Sequence, residues 1–513
     1  MVHYGLYGLS AWIPSIMPTA CYTRYQRIRI ENDDDIARLY PLIIDYLRRP
    51  TLAESVTELV LTRIVPDSDG SDLGSYIADL IHEINEKESE RVVSQISPFL
   101  ATIRSLGTVH DRLDEWLRIL TWMDPNVKGP RDRAHDPRRL DIKHSFKYRN
   151  SLFAHHAAAM LIALCPNIER LTVRDPGFNS PIKDVLIKNN YNQLPGRFLQ
   201  KLKHVSLLAT DDVFLVDDRL FTTMDFLGLF RLFHRLPDVQ SIDVGGIAED
   251  VDDGGWSMHP PYTANYSTIH ITHSDLSSAF LTALIGAPKT LRDFKMSVGR
   301  RATIDDGFSE MRLRDLGMTL YLQKDTLEKL DLDVDDYVYV GGEETESDIA
   351  VHAAQEAAKL EWHYGDVYFL LDATDSPGPL PLSNAPLTRT YGSTIGSLHD
   401  FAALTHLAIG IKTLLGPTGE PPFRLVNALP NSLQSLVLRG YEAGVNSVHD
   451  AHVQELMNKR REALPNLSEI QGVDVVIPNS RNVQMRNLDR AEAARIFWKP
   501  EHRDNDWLEV QDA

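Results

Sequence analysis

Cysteine is nearly missing from this sequence: Cys21 and Cys165 are the only two in 513 residues. Two cysteines make no disulfide framework, and cysteine alone cannot build a zinc site here. Such usage fits a reducing compartment, so an intracellular chain, cytoplasmic or nuclear, is expected. Positive charge is also in deficit, with 53 Lys and Arg against 72 Asp and Glu and a formal net charge of −19. That balance disfavours nucleic acid or an anionic membrane as the main partner, because both want a basic footprint. Long hydrophobic runs are lacking too. No stretch of about eighteen apolar residues occurs, so no membrane-spanning helix is expected. The opening "MVHYGLYGLSAWIPSIM" carries no Lys or Arg before its apolar residues and is broken by Pro14, so it does not read as a secretory signal.

Catalytic signatures are equally scarce. "LLGPTGEPP" has glycines but no Gly-Lys-Ser/Thr, and no Gly-x-Ser-x-Gly occurs, so neither a P-loop nor a nucleophile elbow is present. His270 and His273 in "IHITH" are three apart, which on a strand points them to opposite faces and away from a shared metal. His155 and His156 are adjacent on an expected helix and diverge likewise. Asp331, Asp333 and Asp335 have calcium-loop spacing, yet Asp336 and Gly342 stand where such a loop wants Gly and Glu. Leu330, Leu332 and Val334 alternate with these aspartates, which is a strand with one apolar and one acidic face. No metal or cofactor is expected. The basic stretch "RDRAHDPRRLDIKHSFKYR" also holds three aspartates and a proline and reads as a solvated loop. Asn265-Tyr266-Ser267 and Asn466-Leu467-Ser468 are glycosylation sequons overlapping apolar phrases, expected to go unused.

What is abundant is one phrase: apolar-x-x-apolar-x-apolar, as in "LCPNIERLTV". It recurs at Tyr25, Ile28, Ile30; Val56, Leu59, Leu61; Ile168, Leu171, Val173; Leu202, Val205, Leu207; and Val239, Ile242, Val244. It continues at Tyr266, Ile269, Ile271; Leu291, Phe294, Met296; Leu327, Leu330, Leu332; Leu404, Leu407, Ile409; and Leu433, Leu436, Leu438. A last copy, Leu467 and Ile470, fails at Gly472. The final two apolar positions are two apart, so they share one face of a short strand, and the first lies in the turn before it. Pro and Asn in several copies punctuate the end of a preceding helix. Helical stripes between phrases include Ile36, Leu39, Ile43 and Tyr46, interrupted by Pro41, and Phe226, Leu229, Phe230 and Phe233. Ser274 is expected to cap a helix that ends at Gly286. No single unit buries its own apolar face, but stacked neighbours do.

The spacing in the regular parts is about 25 to 37 residues, at or above the leucine-rich-repeat range. The expected fold is therefore α/β: a leucine-rich-repeat solenoid, or horseshoe, with parallel strands on the concave face and helices on the convex face. Residues 1–20 form an N-terminal segment, 21–478 the solenoid, with insertions near 62–150 and 335–398, and 479–513 a C-terminal cap and tail.

The phrases "YTRYQRIRI", "LCPNIERLTV", "LPDVQSIDV", "LPNSLQSLVLRG" and "ALPNLSEIQG" resemble the leucine-rich-repeat proteins of filamentous fungi, many of which are F-box proteins. The resemblance covers most of residues 20 to 475. It implies a repeat array that holds a protein substrate, beside an F-box docking on the Skp adaptor of a cullin-type ubiquitin ligase. The residues before Tyr25 lack that module's leucine-proline opening.

Side chains alternating with the buried positions would line the binding face: Arg29, Thr172, Arg174, Ser206, Asp243, Lys295, Asp331, Asp333, Val437 and Arg439. The aspartates among them predict an acidic patch suited to a basic protein partner. Rival expectations are an enzyme with a site in 62–165 or 333–400, and a repeat remnant with no adaptor binding.

Overall fold

The computed structural model describes residues 26–30, 33–62, 93–107, 110–121, 142–174, 180–208, 222–249, 261–299, 311–338, 391–417 and 421–479, apart from a few positions within these ranges. The chain divides into two compact units, the first running to Leu202 and the second from Lys203. Among the described residues no helix is long and apolar enough to cross a membrane.

In the first unit β1 (Arg27–Ile30), β2 (Glu58–Leu61) and β3 (Arg170–Arg174) pair in parallel, in sequence order. In the second, β4 (His204–Leu208), β6 (Ser241–Gly245), β8 (Thr268–Thr272), β9 (Asp293–Ser297), β10 (Lys329–Asp333), β11 (His406–Gly410), β12 (Ser435–Arg439) and β13 (Glu469–Gln471) do the same. Every recurring phrase is one of these eleven strands. The strands align with their apolar pairs in register: Ile242 opposite Ile269, Ile269 opposite Phe294, Phe294 opposite Leu330, Leu330 opposite Leu407. These positions and the leading apolar residues Val56, Ile168, Leu202, Tyr266, Leu291, Leu327, Leu404 and Leu433 are buried. Each aliphatic side chain so buried contributes about 1.5–3 kcal/mol. A small second sheet, β5 (Thr222–Met224) with β7 (Ile247–Glu249), has no counterpart in the repeating phrase.

The asparagine of the phrase does more than end a helix. In five repeats the residue just before the leading apolar position donates a side-chain hydrogen bond to a carbonyl of the preceding repeat. Asn167 reaches Glu54 O (2.6 Å), Asn265 reaches Leu236 O (3.1 Å), and Asn466 reaches Asn431 O (2.8 Å). Thr326 on Leu291 O (3.0 Å) and Ser432 on Leu404 O (2.8 Å) fill the same role with a hydroxyl. Lysines of the following repeat, Lys201 and Lys289, donate to Asn167 Oδ1 and Asn265 Oδ1, each at 2.7 Å. A small polar side chain here thus stitches a repeat to its neighbours. Both sequon asparagines have their Nδ2 committed to this stitch.

Local expectations are corrected at several places. The Asp33–Arg48 helix runs through Pro41, which faces solvent, while Ile36, Leu39, Ile43 and Tyr46 are buried. Helix Ser278–Gly286 is capped by Ser277, which accepts from Phe280 N at 3.2 Å. The expected cap, Ser274, is buried and bonds Thr272 O and Ile247 N instead. The stretch after Thr222 is a strand, a five-residue helix (Phe226–Phe230) and turns rather than one long helix. Residues 142–149 of the basic stretch open the helix Ile142–Leu164 rather than a loop. β2 pairs directly with β3, and β10 with β11, across the two insertions. Residues 1–20, most of 335–398 and the tail after Asn479 lie outside the described residues.

Candidate functional site

Strand alternation sends every second side chain to the face opposite the core. In the second unit this face is partly exposed. In-register pairing places Ser206, Asp243, His270, Lys295, Asp331, Ala408, Val437 and Gln471 in one row across eight strands. The row below it includes Asp293 beside Lys329. With neighbouring strands about 4.8 Å apart, opposite charges in adjacent columns meet. His270 Nδ1 lies 3.0 Å from Asp243 Oδ1, and its Nε2 lies 3.3 Å from Asp293 Oδ1. Lys329 Nζ approaches Asp293 at 4.0 Å, and Lys295 Nζ approaches Asp331 at 3.7 Å. The bond to Asp243, then that to Asp293, pushes the His270 pKa up to about 9, so the imidazolium persists at neutral pH.

Arg439 joins from two strands away. Its strand neighbour β11 presents His406, Ala408 and Gly410 on this face, and the two small residues leave a low trough between Asp331 and Arg439. The guanidinium lies across it, with Nη1 2.5 Å from Asp331 Oδ1 and Nε 4.0 Å from Asp333 Oδ2. Gly410 is required for a second reason. A Cβ there would overlap the carboxylate of Asp335. That buried carboxylate accepts from Lys412 N (3.0 Å), Thr413 N (2.7 Å) and Thr413 Oγ1 (2.7 Å). It thereby caps the helix Ile411–Leu415, whose own N-cap residue, Gly410, has no side chain to do so. Burial pushes the Asp335 pKa up, against the pull of these bonds.

Four expected residues, Asp243, Lys295, Asp331 and Arg439, fall within this ladder. Two others do not lie open: Arg29 and Asp333 are only 5% and 6% exposed. Arg29 belongs to the first unit, where β1 and β2 are buried on both faces. There Arg27 pairs with Glu58 directly across the strands at 3.2 Å, and Val60 and Thr172 are closed over as well. Arg174, half-buried at the end of β3, is also in the first unit. The acidic patch is corrected too: Asp331 and Asp333 are compensated by Lys295 and Arg439. Sequence reasoning missed His270, Asp293 and Lys329. Stacking the phrases on their last two apolar positions was the available signal, because it puts Asp243, His270, Lys295 and Asp331 in one column.

His155 and His156 are structural. His155 Nδ1 meets Ser180 Oγ at 2.6 Å, while His156 Nδ1 donates to Leu152 O at 2.8 Å and its ring meets Trp116 edge-on at 4.6 Å. The His273 backbone donates to Ser297 Oγ at 3.0 Å. Among the described residues no three His, Cys, Asp or Glu are grouped to hold a metal ion. Cys165 is buried, and burial pushes its thiol pKa far up, which removes it from thiolate chemistry. No family model, no curated protein and no solved structure matches this chain.

Proposed function

We propose that the chain is a non-catalytic leucine-rich-repeat scaffold that holds a protein partner on the polar sheet face of its second unit. One observation carries this reading: the same face of the repeat is closed at β1 and β2 and partly open from β6 to β10. The open part carries a fixed pattern of charges rather than random solvated residues. Two ion-pair groups, Asp243–His270–Asp293 and Lys295–Asp331–Arg439, lie side by side across five strands. Side chains held this way lose less freedom on binding, which is how a rigid repeat face gains affinity. In its finer form the partner is a substrate of a cullin-type ubiquitin ligase, a role that rests on the family resemblance of the repeat phrases.

Quantitative affinity capture from cells tests both levels. The unmodified chain is compared with a double variant, Asp243→Asn with His270→Gln, and with a helix control, Lys459→Gln. Proteins retained by the first and third but lost by the double variant are the expected result. Identical recovery in all three would sink the sheet-face reading. Recovery of the Skp adaptor and a cullin supports the ligase role, and their absence removes it while leaving the scaffold.

A further inference from the structure

Charge alone does not say which partner the ladder fits, since its cations and anions are nearly balanced. Their geometry does. Each carboxylate nearest a lysine is already held more closely by another cation. Asp293 is hydrogen-bonded by His270 at 3.3 Å, and Asp331 by Arg439 at 2.5 Å. The lysines come second at both: Lys329 is 4.0 Å from Asp293 and Lys295 is 3.7 Å from Asp331, both outside hydrogen-bond distance. They are also the cations that reach outward, with side chains 56% and 41% exposed, whereas Arg439 is 18% exposed. Lys329 on β10 and Lys295 on β9 are diagonal neighbours in the ladder, within reach of two carboxylates on one extended segment. On β11 the residue beside Lys329 is His406, and beside Asp331 is Ala408, over which Arg439 reaches.

We infer that Lys295 and Lys329 form the docking point for an acidic segment of a protein partner. This rests on the sheet-face reading above and reverses the basic partner that the aspartates alone suggest. The chain's net charge of −19 opposes a long acidic run, but at physiological salt charges beyond about 8 Å are largely screened. A short segment with a local pair of carboxylates is the fit.

The test is a random-peptide display library panned on the full chain, on Lys295→Gln/Lys329→Gln and on Asp243→Asn/His270→Gln, with circular dichroism confirming that each variant folds. The expected result is enrichment of Asp- and Glu-containing peptides. Their affinity should fall by up to about fivefold per lysine removed, the upper end for exposed ion pairs, and should weaken with added salt. Enrichment of Lys- and Arg-rich peptides sensitive to Asp243→Asn/His270→Gln overturns the acidic partner but keeps the sheet face. Peptides indifferent to both double variants, or no enrichment over an unrelated protein, overturn the docking surface itself.

Discussion

Gly410 shows how much a missing side chain can decide. Its position admits the Asp335 carboxylate where a Cβ would otherwise stand. Gly410→Ala is therefore expected to destabilise the chain by about 1–3 kcal/mol through overpacking against a fixed carboxylate, read as a lowered urea midpoint at constant slope. Buried and exposed histidines should act on opposite limbs of a pH–stability curve. His156 and His234 are held neutral, burial pulling their pKa down to about 3. Their contribution is complete above the unfolded value near 6.5 and is lost as pH falls from there toward 3. His270 has its folded pKa raised to about 9, so its contribution is complete below about 6.5 and is lost as pH rises through 9. Thermal melts across pH should show both limbs, and His270→Gln should flatten only the alkaline one. A variant that leaves the alkaline limb unchanged would remove His270 from the ladder's energetics.

At the scale of the element, each strand is defined by its two inward apolar residues, and each junction by one small polar group. Leu330→Ala or Leu332→Ala is expected to cost about 2–5 kcal/mol, because both are fully enclosed. Asn265→Ala should cost about 1 kcal/mol for the lost stitch, and Asn265→Asp should not restore it, since a carboxylate cannot donate to the Arg235 and Leu236 carbonyls. The strands were legible because burial imposes a strict period of two that survives any choice of partner residue. The stitch was visible as a recurring Asn and misread as a helix stop, because its acceptor lies in the preceding repeat. The Ser274 cap failed for a related reason: Ser277 sits three residues on, and only tertiary contact to Ile247 N decides which serine is free to cap. The ladder was half legible. Aspartates at alternating positions announced a polar face, but no single strand reveals that Arg439 crosses a neighbour to neutralise Asp331.

At the scale of the whole molecule, the two units use the same repeat differently. Burial on both faces makes β1 and β2 part of an interior, whereas β6 to β10 present one face outward. That is why Arg29, read from the same pattern as Lys295, ended inside: a pattern fixes which face a residue takes, and only the surrounding chain decides whether that face is covered. In the second unit β13 is short, Ile470 is only half-buried, and Gly472 at φ +83° turns the chain where a further strand residue would stand. Amide exchange should therefore be fastest along Glu469–Gln471 and slowest in β9 and β10, and uniform protection would contradict a stack held by nearest neighbours.

The direct pairing of β10 with β11 has a kinetic side. Thr405 bonds the carbonyl of Glu328, 77 positions earlier, where Thr326 and Leu291 span 35. Closing a loop twice as long costs only about 0.6 kcal/mol more, so equilibrium stability barely registers the detour. The search for that contact is nevertheless longer than at the seams of ordinary spacing, and folding speed falls as contacts become more distant in sequence. The seam between β10 and β11 is thus where assembly of the second unit should wait, and it also joins the strand bearing Asp331 to the strand beneath Arg439. The ladder becomes complete only when this junction has closed, so under the proposed function a partner would meet the whole charge pattern only on a unit that has finished folding.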